Sequence, residues 1–175
     1  MLSRVTCVIL LCLPTTLNLP AADSWPQFRG PHGDGIANEQ AIPTEFSESK
    51  GVTWRTELPG LAWSSPVVAD DIIWVTTAIE RIPSEDEKLE LLKKNGIEER
   101  KFKQLSIAKS IELKLIAINL RNGSIQQTIN LTQIDSPDPI HSLNSYASPT
   151  PVIDSAHIYC HFGTYGTFCI HRKSG

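Results

Sequence analysis

The strongest constraint on this chain is that it repeats itself. The stretch Asn144-Ser-Tyr-Ala-Ser-Pro-Thr-Pro-Val-Ile-Asp-Ser-Ala-His-Ile-Tyr-Cys-His-Phe-Gly163 follows the grammar of an earlier one, Trp63-Ser-Ser-Pro-Val-Val-Ala-Asp-Asp-Ile-Ile-Trp-Val-Thr-Thr77. Each runs from Ser/Pro through a short apolar strand and an acidic turn into a second apolar strand. Superposing Pro66 on Pro151 pairs Val67 with Val152, Val68 with Ile153, Ile73 with Ile158 and Trp74 with Tyr159. Farther on, Ala117-Ile-Asn-Leu-Arg-Asn-Gly123 is answered by Cys169-Ile-His-Arg-Lys-Ser-Gly175. A unit that recurs in this way does not bury its apolar face alone and must stack on its neighbours.

Within the first unit, Pro66–Ala69 and Ile72–Thr77 flank Asp70-Asp71 and read as a hairpin. Lys114–Leu120 and Ser124–Leu131 flank Arg121-Asn122-Gly123, a second hairpin in which Asn-Gly suits a type I′ turn with positive φ at both central residues. Between the hairpins lies an insert, about 79–113, of different composition. Ser84-Glu-Asp-Glu87 is a capping box, Leu89 and Leu92 share a face, and Asn95-Gly96 is a stop, so a short amphipathic helix is expected. A second helix over Glu98–Lys109, with Phe102 and Leu105 buried and alternating charges in solvent, would follow. Ahead of the first unit, Val52, Trp54, Thr56 and Leu58 alternate with Thr53, Arg55 and Glu57, the pattern of a strand with one buried face. The segment 132–144 carries two prolines and no period, and reads as a loop. The second unit, 146–175, then supplies Pro151–Asp154, His157–Phe162, a turn over Gly163–Gly166 and Thr167–His171.

The remaining segments bound the compartment. Residues 1–22 have the build of an export signal: Arg4, an apolar run from Val8 to Leu13, and small residues at Pro20-Ala21-Ala22. That run is shorter than the roughly 20 residues a membrane span needs. Ile9-Leu-Leu-Cys12 resembles a lipid-attachment site, with Leu11 where such sites take a small residue. The chain is mildly acidic, with a formal net charge of −3, and has no basic stripe of the kind that holds nucleic acid. Of its four cysteines, Cys160 and Cys169 lie outside the leader, in a compartment that permits disulfides. Trp25 and Phe28 are expected to anchor the Gly/Pro-rich loop that follows the leader. Gly33-Asp34-Gly35 reads as a tight turn, because neither a strand before it nor a helix after it frames a phosphate cradle.

Subtracting the insert from a repeat offset of about 85 residues leaves about 50, close to the 40–50 of propeller blades. The expected fold is therefore all-β: a β-propeller of four-stranded antiparallel blades, incomplete, with a short helical insert. Propellers pack typically 4 to 8 such blades around a channel. One full blade and most of a second are legible, so 23–175 reads as the N-terminal part of a propeller. Val52–Leu58 would be the strand that closes a blade supplied from elsewhere.

The segments Ser65–Thr77 and Leu115–Gly123 resemble the PQQ-like, or quinoprotein-dehydrogenase-like, propeller repeat. Trp25-Pro-Gln-Phe-Arg-Gly-Pro31, Trp63-Ser-Ser-Pro66 and His141–Gly166 are similar to secreted members of that family from planctomycete-type bacteria. The resemblance implies three functional readings. The first is an exported, non-catalytic scaffold, periplasmic or extracellular, that meets a protein or small-molecule ligand at the propeller face. The second is the N-terminal part of a dehydrogenase oxidising alcohols or sugars through pyrroloquinoline quinone (PQQ) and calcium. The third is an outer-membrane assembly scaffold. The adjacent cysteine pair common in the dehydrogenases has no counterpart here, which favours the scaffold.

Candidate site residues follow from position. His141, Asn144, Ser145 and Tyr146 are polar residues on the loop entering the second unit, where a binding face would lie. Asp135 and Asp138 carry carboxylates of the type that suits calcium; scattered acids in a Pro-rich loop more simply face solvent, and no metal is assigned. His161 and His171 read as hydrogen-bonded structural residues. Cys160 and Cys169 could form a cross-strand disulfide if Thr164-Tyr165 are the central turn residues; if Tyr165-Gly166 are central, Cys169 instead faces Phe162.

Overall fold

The computed structural model describes residues 24–37 and 43–175; the expected leader, 1–22, lies outside them. Strands β1 (Val67–Ala69) and β2 (Ile72–Arg81) precede a helix, α1 (Glu85–Lys94), and a 3₁₀ turn over Glu99–Gln104. Then come β3 (Leu105–Ser106), β4 (Ser110–Asn119), β5 (Ile125–Asp135), β6 (Ile140–His141), β7 (Val152–Ile153), β8 (His157–His161) and β9 (Thr167–His171). Among the described residues strand outweighs helix by 37% to 13%, so they form an all-β structure. Three antiparallel sheets result, ordered β1-β2-β4-β5, β3-β6 and β7-β8-β9, and none of them closes on itself.

The repeat is reproduced bond by bond. Val67 pairs with Trp74 and Val68 with Ile73, as Val152 pairs with Tyr159 and Ile153 with Ile158. The N–H of Leu120 donates to Asp71 O, as that of Arg172 does to Ala156 O, each at 2.9 Å. Gly123 and Gly175 close matching turns, each donating its N–H to a carbonyl four residues back, Asn119 and His171, at 2.9 Å. In the first of these turns Asn119 Oδ1 accepts from the N–H groups of Arg121 and Asn122; in the second His171 Nδ1 accepts from that of Lys173. Equivalent residues even touch: the Ser65 N–H donates to Thr150 Oγ1 at 3.0 Å, a partner 85 residues away.

Period-2 alternation explains how the sheets stack. One face of the first sheet presents Val67, Trp74, Leu113, Leu115 and Ala117, which form one core with Ile153, Ile158, Cys160 and Ile170 of the second. The other face presents Ile73, Val75, Ile116 and Ile118, and Trp54, Leu58 and Ala62 pack over it. Each fully buried Leu or Ile contributes about 2 kcal/mol of apolar transfer energy, so the interface between sheets is the main stabilising feature. Trp25 and Pro26 strap its inner edge: Trp25 exchanges two backbone bonds with Val68, and Pro26 O accepts from the N–H of Ile153, the repeat equivalent of Val68.

Several expectations need correction. Val52–Leu58 alternates as expected at Trp54, Thr56 and Leu58, yet joins no ladder, and Val52 is exposed. Instead Trp54 Nε1–H donates to Leu120 O at 3.0 Å and the Thr56 hydroxyl to Gly123 O at 2.5 Å. A Cβ on Gly123 would lie 2.4 Å from the Trp54 ring; one on Gly175 would lie 2.8 Å from Gln127 Nε2 of β5. Val52–Leu58 thus stands to the first sheet as β5 stands to the second.

The Asn122-Gly123 turn is not type I′. Only Gly123 has positive φ, at 72°, because the Asn119 side chain captures the N–H groups of Arg121 and Asn122 and winds a wider loop. The acidic turn, by contrast, places both Asp70 and Asp71 in the left-handed region.

In the insert, the capping box at Ser84 and Glu87 and the stop at Asn95 form as read, but Leu92 is buried and Leu89 exposed. The expected second helix over Glu98–Lys109 is a single 3₁₀ stretch. Leu105 and Ser106 pair with His141 and Ile140, while Phe102 and Ile107 pack on Leu92 as a small separate core. Strand pairing overrides helical period here. β2 and β4 run on to Arg81 and back from Ser110, so the excursion is shorter than 79–113. Phe28 is exposed and anchors nothing; Trp25 does, with its ring against Gly30.

Cys160 and Cys169 are free. The turn after Phe162 holds an odd number of residues, so Tyr159 lies opposite Cys169 and Phe168 opposite Cys160. Neither register considered for the disulfide occurs, and the two sulfurs project from opposite faces, Cys160 buried and Cys169 exposed.

Candidate functional site

The loops that enter the second sheet gather at one end of the stack. Pro137 is buried and the chain leaves β5 through Ser136, a non-glycine residue at φ 54°. The following loop folds back on the Gly163–Gly166 turn, which the first repeat lacks. Between them is a pocket of about 280 Å³ whose walls include Asp138, Ser145, Tyr146, Pro149, Phe162 and Tyr165.

Two of the four expected residues line it. Ser145 is buried in a hydroxyl turn, its Oγ accepting from the Ala147 N–H at 3.2 Å and lying 3.3 Å from Ser148 Oγ. Tyr146 is buried, its hydroxyl donates to Asp138 O at 2.9 Å, and burial pushes its phenol well above the usual range. His141 and Asn144 are exposed and do not line the pocket. His141 Nδ1 accepts from the Leu143 N–H at 3.1 Å, and its carbonyl accepts from the N–H of Asn144 at 2.8 Å.

Tyr165 was not singled out from sequence. It packs 6.2 Å from Tyr146 at a 51° tilt and accepts the Asp138 N–H at 2.8 Å, leaving its own hydroxyl proton free to donate. Its phenol is also raised by burial. The signal available was position, since Tyr165 lies in the one turn with no counterpart in the first unit. Glu80 was also missed. Its Oε1 is buried without a hydrogen-bond partner, and burial raises its carboxyl. It follows Ala78 on the core-facing side of β2, where the alternation called for an apolar residue.

In this pocket the hydroxyls of Ser145, Tyr146 and Tyr165 are held by backbone groups and, for Ser145, by Ser148. Asp138 is exposed beside it, and Asp135 lies within hydrogen-bond reach of Gln133. Among the described residues no three His, Cys, Asp or Glu side chains gather as metal ligands. His161 Nδ1 lies 3.0 Å from Thr167 Oγ1, and His171 holds the second glycine turn, so both have structural partners. A second cavity, about 330 Å³, opens between the sheets beside Trp74 and Lys173. Arg172 is committed there, paired with Asp70 across the sheets and donating to Asp154 O and Ser155 O. Among the described residues no helix is long and apolar enough to cross a membrane. No family model, curated protein or solved structure matches the chain.

Proposed function

We propose that the chain builds part of an exported β-propeller of PQQ-like repeats, which binds a protein or small-molecule ligand at the loop end of its stacked blades without catalysing a reaction. The observation carrying the architecture is the equivalence of two flanking segments. Trp54 and Thr56 lie against Gly123 as Gln127 and Ile129 lie against Gly175; an extended segment thus meets the same turn of each sheet, which supports blades set in a ring. The pocket between Tyr146 and Tyr165 supports binding, since aromatic walls with a few fixed polar groups are the usual make-up of a ligand site.

Incubation with PQQ and calcium, followed by absorbance and dye-linked oxidation of alcohols and sugars, tests the reading. The expected result is neither cofactor absorbance nor turnover. Turnover would replace the scaffold with the dehydrogenase reading. Fractionation of cells expressing the full chain should place it outside the cytoplasm with residues 1–22 removed; retention of an intact chain in the cytoplasm would defeat the export reading.

A further inference from the structure

The pocket between Tyr146 and Tyr165 is selective by what its walls lack. Among the described residues no Lys, Arg or His lines it, so an anionic ligand would meet no countercharge. Its hydroxyls are largely committed. Ser145 Oγ accepts the Ala147 N–H and faces Ser148 Oγ, and the Tyr146 hydroxyl donates to Asp138 O. Tyr165 accepts the Asp138 N–H and keeps one O–H to give. A sugar, with hydroxyls all round its ring, would leave several of them unpaired here, at a cost for each. At about 280 Å³ the space falls just below the usual range of small-molecule sites, roughly 300–1,000 Å³, so its occupant is small.

What the pocket offers is aromatic surface and negative charge. Tyr146 and Tyr165 stand 6.2 Å apart at a 51° tilt, and Phe162 joins them in the wall. The negative faces of such rings attract cations lying within about 6 Å of a ring centre. Asp138 adds a carboxylate, on a residue that is exposed at the pocket and whose backbone both tyrosines hold. Glu80 adds a second from another element, the core-facing side of β2, where its strand partner is the fully buried Ile111. Its Oε1 is buried with no hydrogen-bond partner, and burial raises its carboxyl for want of one. A buried carboxylate in that position calls for a positive charge nearby. Burial raises the Tyr146 phenol most, and the charges of Glu80 and Asp138 raise it further, so both carboxylates act at this ring.

We infer that this pocket binds a small quaternary ammonium, a trimethylammonium group of the kind choline carries, seated against Tyr165 and Tyr146 with Asp138 and Glu80 as its counterions. Such a group carries charge without any N–H to satisfy, so the committed hydroxyls cost it nothing. The inference rests on the ligand-binding reading of this pocket given above and names its ligand class.

Calorimetric titration of the full chain tests it with three probes: choline, tetramethylammonium, and the uncharged analogue of choline that has a tert-butyl group in place of trimethylammonium. Both cations should bind, choline about tenfold or more tighter than the uncharged analogue, the scale of a desolvated cation–π contact. Tyr165→Leu should weaken choline by about tenfold, through loss of one ring. Asp138→Asn and Glu80→Gln should each weaken choline by about threefold or more and leave the uncharged analogue unchanged, a split that a merely structural role would not give. If Tyr165→Leu loses its native circular dichroism, Asp138→Asn, on an exposed residue, carries the test. Absence of choline binding overturns the inference, as does choline affinity unmoved in the folded variants. Equal binding of choline and the uncharged analogue, both lost in Tyr165→Leu, overturns it too, yet leaves the pocket a ligand site and the proposed function standing. Turnover with PQQ and calcium defeats that function whatever choline does.

Discussion

The first sheet and the second share register, turns and inner edge, yet one has both faces covered and the other has one. Trp74 and Tyr159 make the point. They occupy the same position opposite Val67 and Val152, and one is core while the other meets water. Burial here is decided by what stacks on a strand and not by the strand's own pattern, which is why the same strand pattern can recur at the start of both sheets.

Thiol reactivity should give the widest separation between the sheets' two faces. Burial pushes the Cys160 thiol up to about 12, so it is shielded and protonated, and only thiolate reacts. A maleimide should modify Cys169 in the native chain and Cys160 only on unfolding, read by peptide mass spectrometry. Equal labelling would mean that the sheets do not stack.

Next in size is the Trp74 and Tyr159 pair. Trp74→Ala should cost about 3–5 kcal/mol in urea denaturation, the range for large core aromatics. Tyr159→Ala should cost about 1 kcal/mol or less in the monomer, as for surface changes. Comparable losses would erase the distinction between covered and open faces.

The glycine turns offer a finer contrast. Gly123→Ala meets both a left-handed φ of 72° and the Trp54 ring at 2.4 Å, and about 2 kcal/mol or more is expected from strain and displaced packing. Gly175→Ala, at φ 81°, meets the flexible end of Gln127 and should cost about 1 kcal/mol. Thermal melts of the two variants would rank them.

The smallest effect is in acid. Asp154 accepts the N–H groups of Ala156 and His157 and the Tyr159 hydroxyl, which hold its carboxyl at about 2. A depressed carboxyl stabilises the fold above its unfolded value, near 4, and loses that contribution as pH falls toward 2. The first sheet has Ala69 at the matching position. Amide exchange between pH 4 and 2 should therefore loosen the β7-β8 turn before the β1-β2 turn, and Asp154→Asn should remove the difference.

How much of this could be read in advance depended on the range of the interaction. The two repeats, the Asp70-Asp71 hairpin and the Ser84 capping box rest on neighbouring residues, and sequence carried them. The Asn122-Gly123 turn failed because a side chain three residues back competed for its backbone. Glu98–Lys109 failed because β6, far along the chain, paired with Leu105. The disulfide failed on parity, since one residue more or less in a turn exchanges the faces of a strand. At the site, position suggested Ser145 and Tyr146, whereas Tyr165 and Glu80 depend on a loop folding over a distant turn.

The Trp25-Pro26 strap has a consequence for how the molecule assembles in time. It fastens residues near the start of the described chain to Val68 and to Ile153, while Asp70 and Arg172 pair across 102 residues. Loops of that length must close before their contacts contribute, and such topologies fold slowly. Until residues 152–171 have emerged there is no second sheet to fasten, and the first sheet's apolar row stays wet. The strap therefore acts late, as a latch that closes only once the second sheet has stacked on the first.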